Sequence, residues 1–569
     1  MAQAVFPQKI PFVFYPVLLV CVVFASFSSC LSNHFVNWDD GEFLLDNPLV
    51  KDSSFEGLKK IFTSYTYGNY LPLTISSFAL EYRAVQFKPF LYHFDNLFIH
   101  ALNVVAVFFL IRLLSKSTSI AFLTALLFGV HPLRVESVAW VTQRKDVLFS
   151  FFYLWGLITY VFYLIGLFKT NGIMEDQYND LFSLEKRPYI DYHISFGLEK
   201  VNNGKNTGLL ILTGLFFVLS VFSKPMAVSF PLVLLALDYL FSRKDFGRVI
   251  LEKAPFFILS AIFVFVTLQG TSSHIIELAD VSTHTAGDKL LFVNFAFWSY
   301  LGKICIPYPL SCVYPYPSQI GGGWPGWIYA TIFLSALGGI VLVRSFKRSK
   351  IFVFSIWFFT ATIILPLGNI WFGGYWLCDH FSYLPSIGFF YLFSYAVINF
   401  FEKFRVSRWI RIFVLVSVAF IWCGMTFNRC LVWKDGETLW SDVISKFPQL
   451  AMAYNNRGNI YNQKRDFARA LSDYNKALSI NDHYARVYNN RGILLMQINQ
   501  HEAAVRDFDL AIQYNPGFGE AYYNRSIAYL NDGEYQQALL YARKAKALGI
   551  AIGKEYLEKL QAKAGHEIQ

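Results

Sequence analysis

Charge is scarce in this sequence. Only 15% of its 569 residues are Asp, Glu, Lys or Arg, against about a quarter in soluble domains, which excludes an ordinary cytosolic globule. Cysteine is also scarce: Cys21, Cys30, Cys305, Cys312, Cys378, Cys423 and Cys430 show no CxxC or CxxxH spacing, so no zinc site or redox motif is indicated. Cys312 and Cys378 fall in loops placed on one side, which leaves a disulfide open. Glycine-rich phosphate loops and a serine elbow are missing, and with them the nucleotide-dependent and serine-hydrolase readings. What remains is apolar: 55% hydrophobic and 19% aromatic.

The apolar residues come in runs of about 17–25, the length that crosses a bilayer core, and these fill residues 1–430. Residues 431–569 are polar and hold no such run. The expected fold is therefore all-α, a polytopic helical membrane domain followed by a soluble one. A net charge of +10 fits basic loops between spans and does not require nucleic acid. The first run, PFVFYPVLLVCVVFASFSSC, lacks a small-residue cleavage pattern and reads as a retained anchor. Lys9 before it places the amino terminus in the cytoplasm and the first loop, 32–90, outside. Spans follow near 91–112, 118–133, 147–168, 207–223, 225–241, 255–270, 326–343, 351–367, 382–400 and 409–427. The stretch 290–302 lies between Lys289 and Lys303, is too short to cross, and reads as interfacial or re-entrant. The total is eleven spans, with the carboxy-terminal domain outside.

That domain repeats. Arg457, Arg491 and Arg525 stand 34 residues apart, the tetratricopeptide period. The expected units are a half repeat at 437–448, repeats at 451–484, 485–518 and 519–552, and a capping helix. Gly458 and Gly492 suit close helix contact, with Ser526 in their place in the third repeat. Asn456, Asn490 and Asn524 recur on the first helix of each repeat, the helix that lines the concave face. An asparagine amide donates to and accepts from a peptide backbone, so the row is either a ladder for an extended polypeptide or a solvated polar face.

The first loop opens with NHFVNWDDGEFLLDNP, residues 33–48. Its adjacent Asp39 and Asp40 have three readings: solvated charges, a metal site or a general base. A base at the membrane surface suits a transferase whose sugar arrives on a lipid phosphate, because the acceptor hydroxyl must lose a proton as it attacks. The leaving phosphate then needs donors at the same depth. VHPLRVESVAWVTQRKD (130–146), SKP (223–225) and YWLCDHFSYLP (375–385) supply His131, Arg134, Glu136, Arg144, Lys145, Asp146, Lys224 and His380 on the same expected face. His93, Asn96, His100 and Asn103, spaced 3, 4 and 3, share one face of the second span. They either bond neighbouring spans or line a wet cavity.

Together these motifs carry a resemblance. NWDDGEFLLDNP, YLPLTISSFALEY, HFDNLFIHALN, FGVHPLRVESVAWVTQRKDVL, FSKPMAV and DHFSYLPSIGFF occur in order, followed by the repeats. The chain resembles the transmembrane and tetratricopeptide-repeat O-mannosyltransferases of the GT-C superfamily, and its short array looks like that of a bacterial member. The resemblance implies a polyprenyl- or dolichyl-phosphate sugar donor, inverting transfer to an acceptor hydroxyl such as a protein serine or threonine, and an acidic pair in the first external loop. Asp39 and Asp40 match that pair, with Asp39 the expected base and Asp40 orienting it or the acceptor. Two positions depart from the family pattern: Pro225 stands where Glu often follows Ser-Lys, and Asp379–His380 where Asp-Arg is common. Arginine grips phosphate bidentately and is always charged, so the phosphate role shifts towards Lys224 and Arg144, with His380 and His131 beside them. Glu136, Asp146, His93 and His100 fall to the cavity or acceptor side. No resident cofactor is expected, and a divalent metal at the acids stays open. The implied setting is a bacterial inner membrane with a periplasmic repeat domain, or an endoplasmic-reticulum membrane with a luminal one. A membrane-anchored scaffold and a transporter of lipid-linked sugar are the competing readings.

Overall fold

A computed structural model describes residues 11–170, 203–271, 284–318, 323–368, 370 and 375–566. Lys9, which helped orient the chain, lies outside the described residues, as do residues 171–202. The chain forms two compact units, Met1–Lys434 and Asp435–Gln569. Among the described residues every helix or strand element is helical.

In the first unit, α1 (Phe14–Phe27) leads into the first loop. That loop carries α2 (Phe55–Thr63) and α3 (Pro72–Val85). Helix α2 shows Phe55, Leu58 and Phe62 outward, the 3,4 spacing of an interfacial apolar stripe. Inside the loop Phe43, Leu44, Val50, Ile61, Ile75 and Phe78 pack with Tyr92 and Val141, so the loop is anchored by its own core. Helix α4 (Pro89–Ser115) starts with proline in its first turn and stops at Lys116 in the left-handed region, φ 53°. After α5 (Thr118–Val130), Pro132 forces His131 into extended backbone. The chain bends there by 56° into Pro132–Ala139. Next come α6 (Arg144–Thr170) and α7 (Asn203–Ser223), which pack along each other. The unit is completed by α8 (Phe230–Leu240), α9 (Phe246–Thr271), α10 (Ala286–Cys305), α11 (Gly326–Ser345), α12 (Lys350–Leu367), α13 (Ser386–Lys403) and α14 (Arg408–Val432).

Among the described residues seven stretches are long and apolar enough to cross a membrane, and the bent pair would be an eighth. They make this a multi-pass membrane protein, with fewer qualifying spans than the eleven expected. Thr207–Ser223 and Pro225–Leu240 are shorter, separated where Lys224 turns extended before Pro225. In α13, continuous over Ser386–Lys403, the apolar run is broken by Ser394 and Asn399. The segment 290–302 needs a correction. It belongs to the 20-residue α10, opened by a capping box in which Thr285 Oγ1 accepts from Asp288 N–H (3.2 Å) and Asp288 accepts from Thr285 N–H (2.9 Å). At about 1.5 Å per residue that helix is about 30 Å long. Counting only the uncharged residues missed that Asp288, Lys289 and Lys303 continue it. Cys312 and Cys378, considered for a disulfide, are both buried free thiols.

The second unit is a stack of paired helices. Following α15 (Gly436–Lys446), the pairs are α16 (Ala451–Gln463) with α17 (Phe467–Ile480), α18 (Ala485–Gln497) with α19 (His501–Tyr514), and α20 (Gly519–Asn531) with α21 (Tyr535–Ala547); α22 (Lys554–His566) caps the end. A Cβ on Gly458 would come within 2.7 Å of Tyr474, and one on Gly492 within 2.7 Å of Phe508. In the third repeat Ala542 replaces the ring, and the space admits Ser526, whose hydroxyl donates to Ala538 O (2.7 Å). Each repeat arginine also reaches 16 residues both ways. Arg457 binds Asp473 (2.8 Å) and Ser441 (3.2 Å); Arg491 binds Asp507 (2.8 Å) and Asn475 (2.7 Å). For Arg525 the acid lies behind, at Asp509 (2.9 Å), and Tyr541 stands ahead.

Candidate active site

Three consecutive residues at the start of α6 organise the site. Successive helical side chains diverge by about 100°, so Arg144, Lys145 and Asp146 reach three different neighbours. Arg144 points into protein. Its Nε donates to Asn96 Oδ1, Nη1 to Glu81 (2.6 Å) and Ser77 (3.4 Å), and Nη2 to Tyr92 O (2.9 Å). Fully buried with these partners, it ties α3 and α4 to α6 and is spent as a phosphate ligand. Lys145 turns to the first loop, 3.7 Å from Asp39 and 4.7 Å from the Phe43 ring centroid. Asp146 accepts from Lys224 at 2.5 Å.

The two loop aspartates divide. Asp40 is buried and accepts from Val36 N–H (2.9 Å) through one oxygen and Thr142 N–H (3.2 Å) through the other. It pins the loop to the residues before α6. Burial raises its pKa to about 6, against those two donors. Just beyond, Asp46 N–H bonds Gly41 O at 2.8 Å and closes a single π turn. Asp39 stays a third exposed. The surrounding protein lifts its pKa above the usual carboxylate value, while Lys145 pulls it down.

Opposite stands His380. Its Nδ1 lies 2.9 Å from Glu136 Oε1, and its own N–H donates to Oε2 at 3.1 Å. Burial and the cations Lys224 and Lys145 hold its pKa well below the usual histidine value. A neutral imidazole bonded to Glu136 through Nδ1 leaves Nε2 for a further hydrogen bond. It offers a phosphate one hydrogen bond where an arginine would offer a charged fork. Asp379 accepts from Tyr314 OH (2.8 Å), with burial raising its pKa against the pull of Lys303 and Arg429. Trp140 lies between, 6.2 Å from the His380 ring and 6.3 Å from Trp38. A cavity of about 10 Å³, room for one water, is lined by Asp146, Ser229, His380 and Phe381 among others.

Other expected site residues are occupied elsewhere. His131 accepts from Leu133 N–H through Nδ1 (3.2 Å) and meets Ile304 O through Nε2 (3.0 Å), so both ring nitrogens are used internally. His100 bonds Tyr383 OH (2.7 Å) and Gly129 O (3.0 Å); Asn103 donates to Val147 O (2.8 Å). Asn96 donates to the Trp140 carbonyl (3.2 Å). The polar stripe thus bonds helices together, and its member His93 is buried with it. The repeat ladder is likewise engaged: Asn490 donates to Asn455 (2.9 Å) and Asn459 (3.1 Å), Asn524 to Asn489 (2.8 Å), and Asn456 accepts from Asn455 (3.1 Å). Asn490 and Asn524 stitch repeat to repeat, while Asn456 accepts from its neighbour within the first repeat, so part of the ladder's hydrogen-bonding capacity is used inside the array.

Among the described residues no three His, Cys, Asp or Glu side chains are arranged to hold a metal, and Asp40 and Asp146 are bonded to backbone N–H groups and to Lys224. The sequence reading passed over Lys145 and Trp140 when it selected site residues. Their signal was adjacency: Lys145 lies between two charged residues in one helical turn, so it had to face somewhere different from Arg144.

Tetratricopeptide-repeat family models match residues 451–484 and 489–551. Over 493 residues the chain is 24% identical to "Protein O-mannosyl-transferase F38B6.6" of Caenorhabditis elegans, covering 82% of this chain and 63% of that one. Its homologues are named protein O-mannosyl-transferases. Human TMTC3 is 36% identical over 157 residues (25% of this chain, 16% of that one), and mouse TMTC1 32% over 141 (23% and 15%). The chain spans less than two thirds of the length of these relatives, and all three are animal proteins, whereas the sequence pointed to a bacterial one. A solved structure, "Crystal structure of APC/C hetero-tetramer Cut9-Hcn1", aligns over 82% of this chain and 96% of that chain, at 12% identity and a TM-score of 0.23, and carries no argument here.

Proposed function

We propose that this protein is a glycosyltransferase that moves a sugar, mannose by analogy with its relatives' names, from a polyprenyl- or dolichyl-phosphate donor to a protein serine or threonine on the external face, with inversion. The observation that carries this reading is the grouping of Asp39–Lys145, Asp146–Lys224 and Glu136–His380 in one place at the helix ends. Asp39 is the base: it is the carboxylate of the group with open access, and its raised pKa makes it a stronger proton acceptor than an ordinary aspartate. The acceptor hydroxyl gives its proton to Asp39 as its oxygen bonds the anomeric carbon. The bond from that carbon to the phosphate oxygen breaks on the opposite face, and the lipid phosphate leaves with the electron pair. We assign the growing phosphate charge to Lys145, the loosely held cation, with Lys224, held by Asp146, adding to the positive field. Drawing Lys145 to the phosphate would also free Asp39 for the proton. Asp40 holds the turn, and His380 Nε2 can accept from a sugar or acceptor hydroxyl.

The transporter reading is weaker because three of the four polar residues of the α4 stripe, Asn96, His100 and Asn103, are bonded to neighbouring groups; His93 alone has both ring nitrogens without a partner. The test is transfer in proteoliposomes from radiolabelled polyprenyl-phosphate mannose and glucose to serine/threonine peptides. Wild type should label the peptide, and folded Asp39→Asn should not. Equal activity in both would sink Asp39 as the base. No transfer with any donor and acceptor, alongside peptide capture by the repeats, would favour the scaffold.

A further inference from the structure

On another part of the membrane unit, α5, α13 and α14 leave a groove of about 430 Å³ between them. Its lining is wholly apolar and includes Leu127, Phe393, Ala396, Phe401, Val414 and Val418. Leu123, Leu127 and Phe401 are buried and form the floor, while Phe393, Phe400 and Val414 rise exposed at the rim. Ala396 keeps it open: it is an exposed small residue between Phe393 and Phe400 on α13. The volume falls in the range of small-molecule sites, which run about 300–1,000 Å³. No polar group in the lining would orient a polar ligand, so this part takes hydrocarbon.

One end of the groove is basic. Helices α13 and α14 are joined by residues 404–407, and Lys403, Arg405 and Arg408 stand exposed around that turn. The turn has a fixed shape. Arg405 adopts the left-handed region at φ 49°. Buried Arg411 donates to Val406 O (2.7 Å) and Phe401 O (3.1 Å), clamping the loop to the last turn of α13. Phe401 is therefore both floor of the groove and anchor of the basic turn. A ligand that fills the groove and reaches this end must be apolar along its length and anionic at its head. Loops of this charge face the cytoplasm under the positive-inside rule, where anionic lipid is concentrated.

We propose that this groove is a binding site for one anionic glycerophospholipid, with an acyl chain lying along Leu127, Ala396 and Val418 and the phosphate held by Arg405 and Arg408. The site is independent of the proposed sugar transfer, so either can fail without the other. Its role is to fill and hold the α5–α13–α14 interface.

Native mass spectrometry of the full chain, delipidated in detergent and titrated with phosphatidylglycerol or with phosphatidylcholine of the same acyl chains, tests it. Wild type should retain phosphatidylglycerol about thirtyfold better, the preference two arginines would give at a membrane surface. Arg405→Gln/Arg408→Gln should abolish the preference while still taking up both lipids. Ala396→Phe, which fills the groove, should lower retention of both by a similar factor. Circular dichroism and size exclusion check that each variant is folded. Equal retention of the two lipids by wild type would overturn the proposal, and so would a preference that survives the double substitution. Displacement of phosphatidylglycerol by polyprenyl phosphate in wild type, lost in Ala396→Phe, would overturn it in favour of a prenyl occupant.

Discussion

Helix α6 carries a buried charge cluster at each end, and the two are built on different terms. At its later end Tyr160 donates to Asp238 (2.6 Å), Lys253 pairs with Asp238 (2.7 Å), Arg243 with Glu252 (2.5 Å), and Tyr163 donates to Glu252 (2.5 Å). The group is closed: each charge meets its opposite inside the protein. At its start Lys145 lies 3.7 Å from Asp39, beyond hydrogen-bond length, and Asp39 is a third exposed. The first arrangement has the form of an internal clamp. The second keeps a carboxylate and an ammonium loosely paired, ready to be separated by a ligand that offers them better partners. Closure, more than burial or charge, separates a structural cluster from a reactive one here.

The sharpest test of that contrast is Asp39→Asn. Loss of a positioned base should lower transfer by about 10²–10⁴, with the melting temperature unchanged because the side chain is exposed and its pair is loose. Initial rates from a radiolabelled lipid-phosphate sugar measure the first quantity, and a thermal melt of the same preparation the second. Lys253→Met should do the reverse. It removes the nearer of Asp238's two cations and leaves Arg243 at 3.4 Å, costing about 1–3 kcal/mol, while the turnover of each remaining folded molecule stays at the wild-type level. A Lys253→Met protein that folds normally but has lost transfer would break the distinction between the clusters.

Asp40 yields a smaller effect with a definite sign. Its pKa is about 6 in the folded protein against 3.8 ordinarily, so the folded state holds that proton more tightly. The stability from this linkage is complete below pH 3.8 and is lost as pH rises through 6. At about 1.4 kcal/mol per unit, wild type should lose at most about 3 kcal/mol relative to Asp40→Asn across that window. Parallel melts at several pH values measure the difference. A difference that stays flat would mean that folding leaves the Asp40 pKa at its ordinary value.

Much of the fold was legible in the residues, and the site only in part. The 34-residue arginine spacing located the repeats, and the long apolar runs located most spans. The helix across 290–302 was missed because charged residues were taken as its ends, whereas a capping box at Thr285 lets the helix begin before them. Asp39 and Asp40 were legible as a pair from adjacency, but their division depends on Val36 and Thr142 N–H groups that only the fold brings together. Arg144 and His131 read as external cations. Their neighbours in space, Glu81, Tyr92 and Ile304, lie 52 to 173 residues away, and no local pattern reveals them.

The repeat unit extends the comparison to its smallest scale. Asp507 meets Arg491 with little exposure, 6% for the acid, whereas Asp509 meets Arg525 half-exposed at 50%. An exposed pair is worth about 0–1 kcal/mol because solvent screens it, and leaving a desolvated partner unpaired costs more. Asp507→Ala should therefore destabilise α18 and α19 by about 1–2 kcal/mol, and Asp509→Ala should change α20 by no more than about 0.5 kcal/mol. Hydrogen exchange on the full chain, read helix by helix, separates the two. The weaker response at Asp509 follows from the third repeat's sequence. With Tyr541 in the position that holds Asp473 and Asp507 in the earlier repeats, Arg525 rests on the Tyr529 ring (4.3 Å) as well as on its acid, and the ring remains when the acid is removed.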